Sequence, residues 1–243
     1  MYRKPIHIKA EPGKVASKVI VVGDPDRTRF IASFLKNVEE VNTHRGFLVY
    51  TGEFNGEKIS VACHGVGAPS AAIVFEELIM LGAKMMIRMG TTGGLIPELH
   101  RGDIVIPCGA AYLPTSPVLQ LTEGIILSAV PDIELTYELY RYVKDRTKRK
   151  VVLGPVISND MFYMESPDLA KKLSRLGIVS IEMECATLFT IARIRNIRSG
   201  ALLLVSNSLV NPEEAEIPHS SIINEYYSEI VPIVLEFLSR IKL

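Results

Sequence analysis

The stretch Met85–Gly94, read MMIRMGTTGG, places one arginine in an apolar run and follows it with a glycine-threonine turn. A guanidinium in an apolar strand is costly unless an anion meets it. The backbone N–H groups and hydroxyls of Gly90-Thr91-Thr92-Gly93 would serve the same anion. A second segment of this kind, GDPDR at Gly23–Arg27, follows the run Val19–Val22. Gly23 lets a backbone approach a ligand closely, and Asp24 can cap a helix begun at Pro25. Arg27 then falls in the first helical turn, where a cation suits the helix dipole only if an anion binds there. Taken alone, GDPDR reads equally well as a surface turn. Together, Arg27 and Arg88, each beside a glycine turn, suit a small tetrahedral oxyanion such as phosphate.

The sequence Ile181–Ala186, IEMECA, puts Glu182 and Glu184 at the end of an apolar strand and the start of a helix, Cys185–Arg195. Carboxylates two apart on a strand share a face and can accept paired hydroxyls such as those of a ribose. Alternatively, one of them complements the helix dipole. Glu184 is the candidate for ligand contact. Phe162 and Tyr163, in SNDMFY, could stack on a base or fill core. Read within one chain, His7 is a surface histidine, and Arg45 in NTHRGF has no specific task. HExxH, a paired-cysteine ligand set, a Walker A loop and GxSxG are all missing from the sequence, so neither a metal nor ATP nor a covalent hydrolase mechanism is expected.

These residues need a scaffold. The 243 residues are 48% hydrophobic and 22% charged, with Lys+Arg and Asp+Glu both at 27. That composition is ordinary for a soluble protein with a substantial core. The balanced charge argues against a general nucleic-acid or membrane-surface binder. Cys63, Cys108 and Cys185 are distant and odd in number, and read as buried, reduced cysteines of a cytoplasmic protein. The first residues lack the apolar core of a signal peptide, and no apolar run reaches a membrane span. With no repeat or linker, residues 1–243 are expected to form a single domain.

Short β-branched runs punctuated by turns fall at Val19–Val22, Ile59–Cys63, Met85–Met89, Ile104–Pro107, Val151–Ile157 and Ala201–Val205. Helical spacing appears over Pro69–Leu81, Ile133–Val143 and Ile222–Ile241, with Pro232 expected to bend the last. Phe47–Gly52 and Glu57–Cys63, joined at Phe54-Asn55-Gly56, read as a hairpin. The pattern predicts an α/β protein, a central mixed β-sheet flanked by helices. Asn207–Ser221, polar with two prolines, reads as either a functional lid or a solvated connector.

GDPDR, NTHRGFLVYTG, HGVGAPS, IRMGTTGG, GDIVIP, SNDMFY and EMECATLF occur in this order across most of the chain. Together they resemble the hexameric branch of the nucleoside phosphorylase family, which covers purine nucleoside, uridine and methylthioadenosine phosphorylases. The resemblance implies attack of phosphate, as co-substrate, on the anomeric carbon of a nucleoside, with no cofactor. It implies that Gly23, Arg27, Arg88 and Thr91 bind phosphate, with Arg45 reaching in from a neighbouring subunit. His7 would likewise come from the neighbour, to the ribose 5′ end. Glu182, Met183 and Glu184 would hold the ribose, with Glu184 on its 2′- and 3′-hydroxyls, and Phe162 would pack on the base. Dimers, usually three per hexamer, with shared active sites are the implied partners.

The chain departs from this pattern in Leu204-Val205-Ser206-Asn207. Purine-cleaving members of the branch usually carry Asp where Asn207 stands, as the acid that protonates the leaving purine, assisted by an arginine further along. Here Asn207–Ser221 contains no arginine, and an amide donates a hydrogen bond without transferring a proton. Purine phosphorylases of the separate trimeric branch use an Asn at the base and favour 6-oxopurines, so by analogy Ser206 and Asn207 are the expected base contacts, with a preference for 6-oxopurines. Uridine phosphorylases carry a Gln and an Arg shortly after the Phe-Tyr pair. Met164, Glu165, Ser166, Pro167 and Asp168 stand here instead, although Glu216–Pro218 resembles the uridine group's loop. A nucleosidase using water would lack the arginine site, and a nucleoside-binding protein would be the reading if the missing acid abolished catalysis.

Overall fold

A computed structural model describes residues 4–243. In chain order the elements are β1 (Lys18–Val22), α1 (Pro25–Ala32), β2 (Lys36–Asn42), β3 (Val49–Phe54), β4 (Glu57–Cys63), α2 (Ala68–Met80), β5 (Met85–Gly94), β6 (Ile104–Tyr112), α3 (Val118–Leu121), α4 (Ile133–Lys144), β7 (Val151–Ser158), α5 (Pro167–Arg175), β8 (Ser180–Glu182), α6 (Cys185–Ile194), β9 (Arg198–Ser208) and α7 (Ser220–Arg240).

The described strands form one mixed sheet, ordered β2-β3-β4-β1-β5-β8-β7-β6-β9. It closes on itself, because β9 pairs with β6 and also runs parallel to β5. Five strands thus form a ring, and β1 to β4 extend from it as an open wing. Side chains alternate across each strand, so Val19 and Val21 of β1 enter one core while Ile20 and Val22 enter another. Helices α2 and α6 cover the first core. Helices α1, α4 and α7 cover the second. A strand buried on both faces reads as an unbroken apolar run, which is why the central strands were legible from sequence.

The structure corrects several expectations. Gly90-Thr91-Thr92-Gly93 is not a turn: β5 continues to Gly94, because β9 pairs with it over its whole length. Arg88 is therefore inside a strand rather than at its end. Cys108 is exposed, on a strand whose side chain there faces outward, whereas Cys63 and Cys185 are buried as expected. The hairpin turn is only Asn55-Gly56, both at positive φ, so β3 runs on to Phe54. Strand β2 is polar and mostly exposed, and it carries no apolar alternation by which sequence could reveal it.

Candidate active site

Strand β5 sits at the crossing of the sheet. It carries Arg88 and Thr91, pairs with β1 on one side, and shares its C-terminal half with β8 and β9. Gly93 stands opposite both Ile181 of β8 and Asn207 of β9. Thr92 Oγ1 donates to the Ile181 carbonyl at 2.7 Å, tying the start of the IEMECA segment to the strand. Three separate strands of the closed ring thereby come together around Gly93.

A cavity of about 520 Å³ opens there. Gly23, Arg27, Arg88, Thr91, Glu182, Met183 and Glu184 are among the residues that line it. Phe162, Glu165, Ser206, Asn207, Ile217 and Pro218 line it as well. Ten of the twelve expected contact residues thus border one space. His7 and Arg45 do not.

Asp24 caps α1 as expected, its carboxylate accepting from the Asp26 N–H at 2.8 Å. Arg27 projects from the first turn and lies over the ring of Tyr227, 4.8 Å from its centroid. Its Nε is buried without a hydrogen-bond partner. An unpaired buried donor of a cation, at a helix start lining a cavity, is where an anion belongs.

Arg88 is almost fully buried, and its guanidinium is held on three edges. Nε donates to Glu182 Oε2 at 3.3 Å, Nη2 lies 2.5 Å from Glu184 Oε2, and Nη1 is 3.1 Å from His64 Nε2. Burial works against the charge, but Glu184 and Glu182 outweigh it and keep the group firmly protonated.

The two carboxylates are held differently. Glu182 ends β8, and its oxygens accept from the Glu184 and Cys185 N–H groups of α6 and from Ser158 Oγ. It is consumed by a helix N-terminus, the alternative weighed for this segment. Glu184 is not on the strand at all. It is the N-cap residue of α6, so the two do not share a strand face. Glu184 Oε1 accepts only from the Gly67 N–H, at 2.6 Å. Burial raises its pKa, with Arg88 pulling the other way. Of the pair, Glu184 is the one a ligand can recruit.

At the base end, Asn207 is oriented by two contacts. Its Oδ1 accepts from Ser206 Oγ at 3.0 Å, and its Nδ2 donates to the Ala215 carbonyl at 3.2 Å. One Nδ2 hydrogen remains for a ligand. Phe162 sits on a short 3-10 turn, Phe162–Met164, half exposed at the cavity, and its neighbour Tyr163 is 96% exposed.

His7 is pinned to Glu77, Nδ1 to Oε1 at 2.7 Å. The Glu77 carboxylate also collects the N–H groups of Ile6, His7 and Ile8. These bonds lower its pKa against the effect of burial. Arg45 is exposed, at φ 58° in a short 3-10 turn.

Two residues at the site went unassigned from sequence. His64, inside HGVGAPS, is fully buried against Arg88. Tyr227, on α7, donates its hydroxyl to the Gly90 carbonyl at 2.7 Å beneath Arg27. A tyrosine among the apolar positions of a helix was the available signal, since a buried hydroxyl must find a partner.

Comparison with known proteins agrees with this geometry. Residues 17–237 match the family described as the phosphorylase superfamily. A purine nucleoside phosphorylase of the DeoD type from Latilactobacillus sakei is 35% identical over 234 residues, covering 95% of this chain and 97% of the relative. A guanosine phosphorylase from Halorubrum lacusprofundi is 33% identical over 204 residues, covering 84% and 83%. The crystal structure of purine nucleoside phosphorylase from Toxoplasma gondii in complex with immucillin-H superposes with a TM-score of 0.86 at 25% identity, covering 97% of this chain and 95% of that one. With family match, relatives and fold in agreement over nearly the whole chain, the protein belongs to the phosphorylase superfamily.

Proposed function

We propose that this protein cleaves the N-glycosidic bond of purine ribonucleosides with inorganic phosphate, giving free base and ribose 1-phosphate, and that it prefers 6-oxopurines. The observation that carries this reading is the single cavity bordered by Arg27 and Arg88, by Glu184, and by Phe162 and Asn207. The purine phosphorylases among the relatives support it.

In this reading phosphate lies between Gly23, Arg27, Arg88 and Thr91, while Glu184 accepts the ribose 2′- and 3′-hydroxyls. The bond from the anomeric carbon to the base nitrogen breaks, and positive charge builds on the sugar. The phosphate dianion stabilises that charge and then bonds to the carbon. Positioning of this kind supplies roughly 7 kcal/mol or more. The electron pair leaves with the purine. Asn207 cannot protonate it, but its free N–H can donate to the purine's oxo group or to its imidazole nitrogen, and solvent supplies the proton. A 6-oxopurine spreads the departing charge onto its oxygen and tolerates this arrangement better than adenine. No cofactor is called for.

Arg45 and His7 lie away from the cavity, and we assign them to a neighbouring subunit's site. Homodimers, assembled three to a hexamer, accommodate this. The exposed Met161, Tyr163 and Met164 beside the mouth support a partner seated there. Three free cysteines support a reducing, cytoplasmic setting.

The test is base release from inosine, guanosine, adenosine, methylthioadenosine and uridine, with and without phosphate. Inosine and guanosine should be cleaved fastest, and only with phosphate. Release without phosphate would mean a nucleosidase. Uridine as the best substrate would favour the uridine reading suggested by Glu216–Pro218. Binding without turnover would mean a nucleoside-binding protein.

A further inference from the structure

His64 is a buried polar residue that the mechanism above leaves without work. It follows β4, its own N–H donates to the Val22 carbonyl at 2.8 Å, and its ring packs edge-on to Phe75. The side chain is wholly inaccessible. Its Nε2 faces Arg88 Nη1 at 3.1 Å. A guanidinium has no lone pair to offer, so Nε2 must accept and the ring proton must sit on Nδ1. That Nδ1 is buried with no partner. An apolar side chain of similar size would fill the same space without stranding a donor, so packing alone does not account for the histidine.

The surroundings of Arg88 supply the reason. Of its three holders, Glu182 is fixed by the start of α6 and by Ser158. Glu184, besides Arg88, has only the Gly67 N–H, and it is the carboxylate a ribose diol would draw away. Once Glu184 turns to the sugar, Glu182 Oε2 still holds Nε and Nη2, at 3.3 and 3.2 Å, and Nη1 is left to His64. We propose that His64, as a neutral imidazole accepting from Nη1, is the positioning residue that keeps Arg88 aimed at the phosphate while Glu184 is occupied by the ribose. The inference rests on the phosphorolysis reading above. His64 touches neither substrate, and it acts through the guanidinium, whose paired N–H groups can then meet two phosphate oxygens together.

The experiment compares His64→Gln, whose side-chain oxygen can accept from Nη1, with His64→Leu, which fills similar volume and cannot. In His64→Leu the KM for phosphate should rise about tenfold or more, the effect of one lost charge-assisted hydrogen bond. The KM for inosine should change little, and His64→Gln should recover most of the loss. Equal phosphate KM values in the two variants, or a lowered melting temperature with unchanged KM, would overturn the assignment. A measurement on the wild-type protein stands independently of whether either variant folds. NMR with 15N-labelled histidine should show His64 as a neutral, Nδ1-protonated ring that keeps this state when sulfate, an unreactive stand-in for phosphate, is added. An Nε2-protonated or charged His64 would overturn the proposal. Wild-type protein without phosphate-dependent cleavage would instead overturn the functional reading.

Discussion

At the scale of single residues, the proposed reaction sets Asn207 against the leaving base. Its amide is oriented because Ala215 offers a carbonyl and Ser206 a hydroxyl. Asn207→Asp would set a carboxylate oxygen against the Ala215 carbonyl, a repulsion relieved if the acid takes up a proton. A protonated acid is what a departing adenine lacks here. The variant should therefore raise adenosine cleavage relative to inosine by about tenfold or more, within the usual yield of general acid catalysis. An unchanged ratio in steady-state kinetics would refute this role. His64 carries a second residue-scale prediction. Burial, reinforced by the Arg88 charge, lowers its pKa. Below about pH 6.5 the unfolded chain binds a proton at this residue that the folded chain refuses. The associated stability is present above that pH and is lost as pH falls toward the folded value, with a slope approaching about 1.4 kcal/mol per pH unit. Melting temperature should fall more steeply below pH 6.5 in the wild type than in His64→Gln, and parallel profiles would contradict this. Arg27, Arg88 and Glu184 were visible in the sequence because a charge beside a glycine or an apolar run is chemically conspicuous, whereas Asn207 stood out only as a departure from the family's pattern. His64 was not, because nothing in HGVGAPS says which neighbour its imidazole meets.

At the scale of elements, β5 shows where reading by pattern stops. Glycine and threonine after an apolar run look like a turn, yet pairing with β9 extends the strand to Gly94. The glycines serve as clearance. A Cβ on Gly90 would lie 2.7 Å from the Arg88 Cζ. Gly90→Ala should thus push the guanidinium off its three holders and leave the strand intact, since the colliding atoms end a flexible side chain. The expected result is a loss of kcat/KM of about 10²-fold, the order found when one preorganised electrostatic contact is removed. The melting temperature should change by only a few degrees, corresponding to about 1 kcal/mol. Near-normal kinetics would show that Arg88 has room to spare. Helices α2, α4 and α7 were legible from their apolar spacing, whereas α3 and α5 were not read. The ring closure of β5 through β9 was not, because strand order depends on which edges meet in three dimensions and leaves no periodic mark in the chain.

At the scale of the whole molecule, the proposed assignment of His7 and Arg45 to a neighbour makes each site the work of two chains. His7 is fixed by Glu77, and Arg45 is exposed on a 3-10 turn, both outside the cavity that the other expected residues share. Spacing within one chain reveals no task for either residue, and only resemblance to the family supplied one, since an intersubunit role cannot be read from intrachain spacing. The assignment has a quantitative consequence. Arg45→Ala and Glu184→Ala should each reduce activity by about 10²-fold or more as pure assemblies, since each site loses a charged contact to substrate. Co-expressed, the two chains would form mixed dimers in which one site takes its body from the Arg45→Ala chain and an intact Arg45 from the other. That site is complete, and the second lacks both groups. Random pairing makes half the dimers mixed with one good site in two, so activity should return to about a quarter of wild type. If Arg45 serves its own chain instead, every site in the mixture lacks one group or the other, and activity stays at the level of the separate variants. The mixture separates these outcomes without knowledge of the base, because both variants act at the phosphate and ribose end.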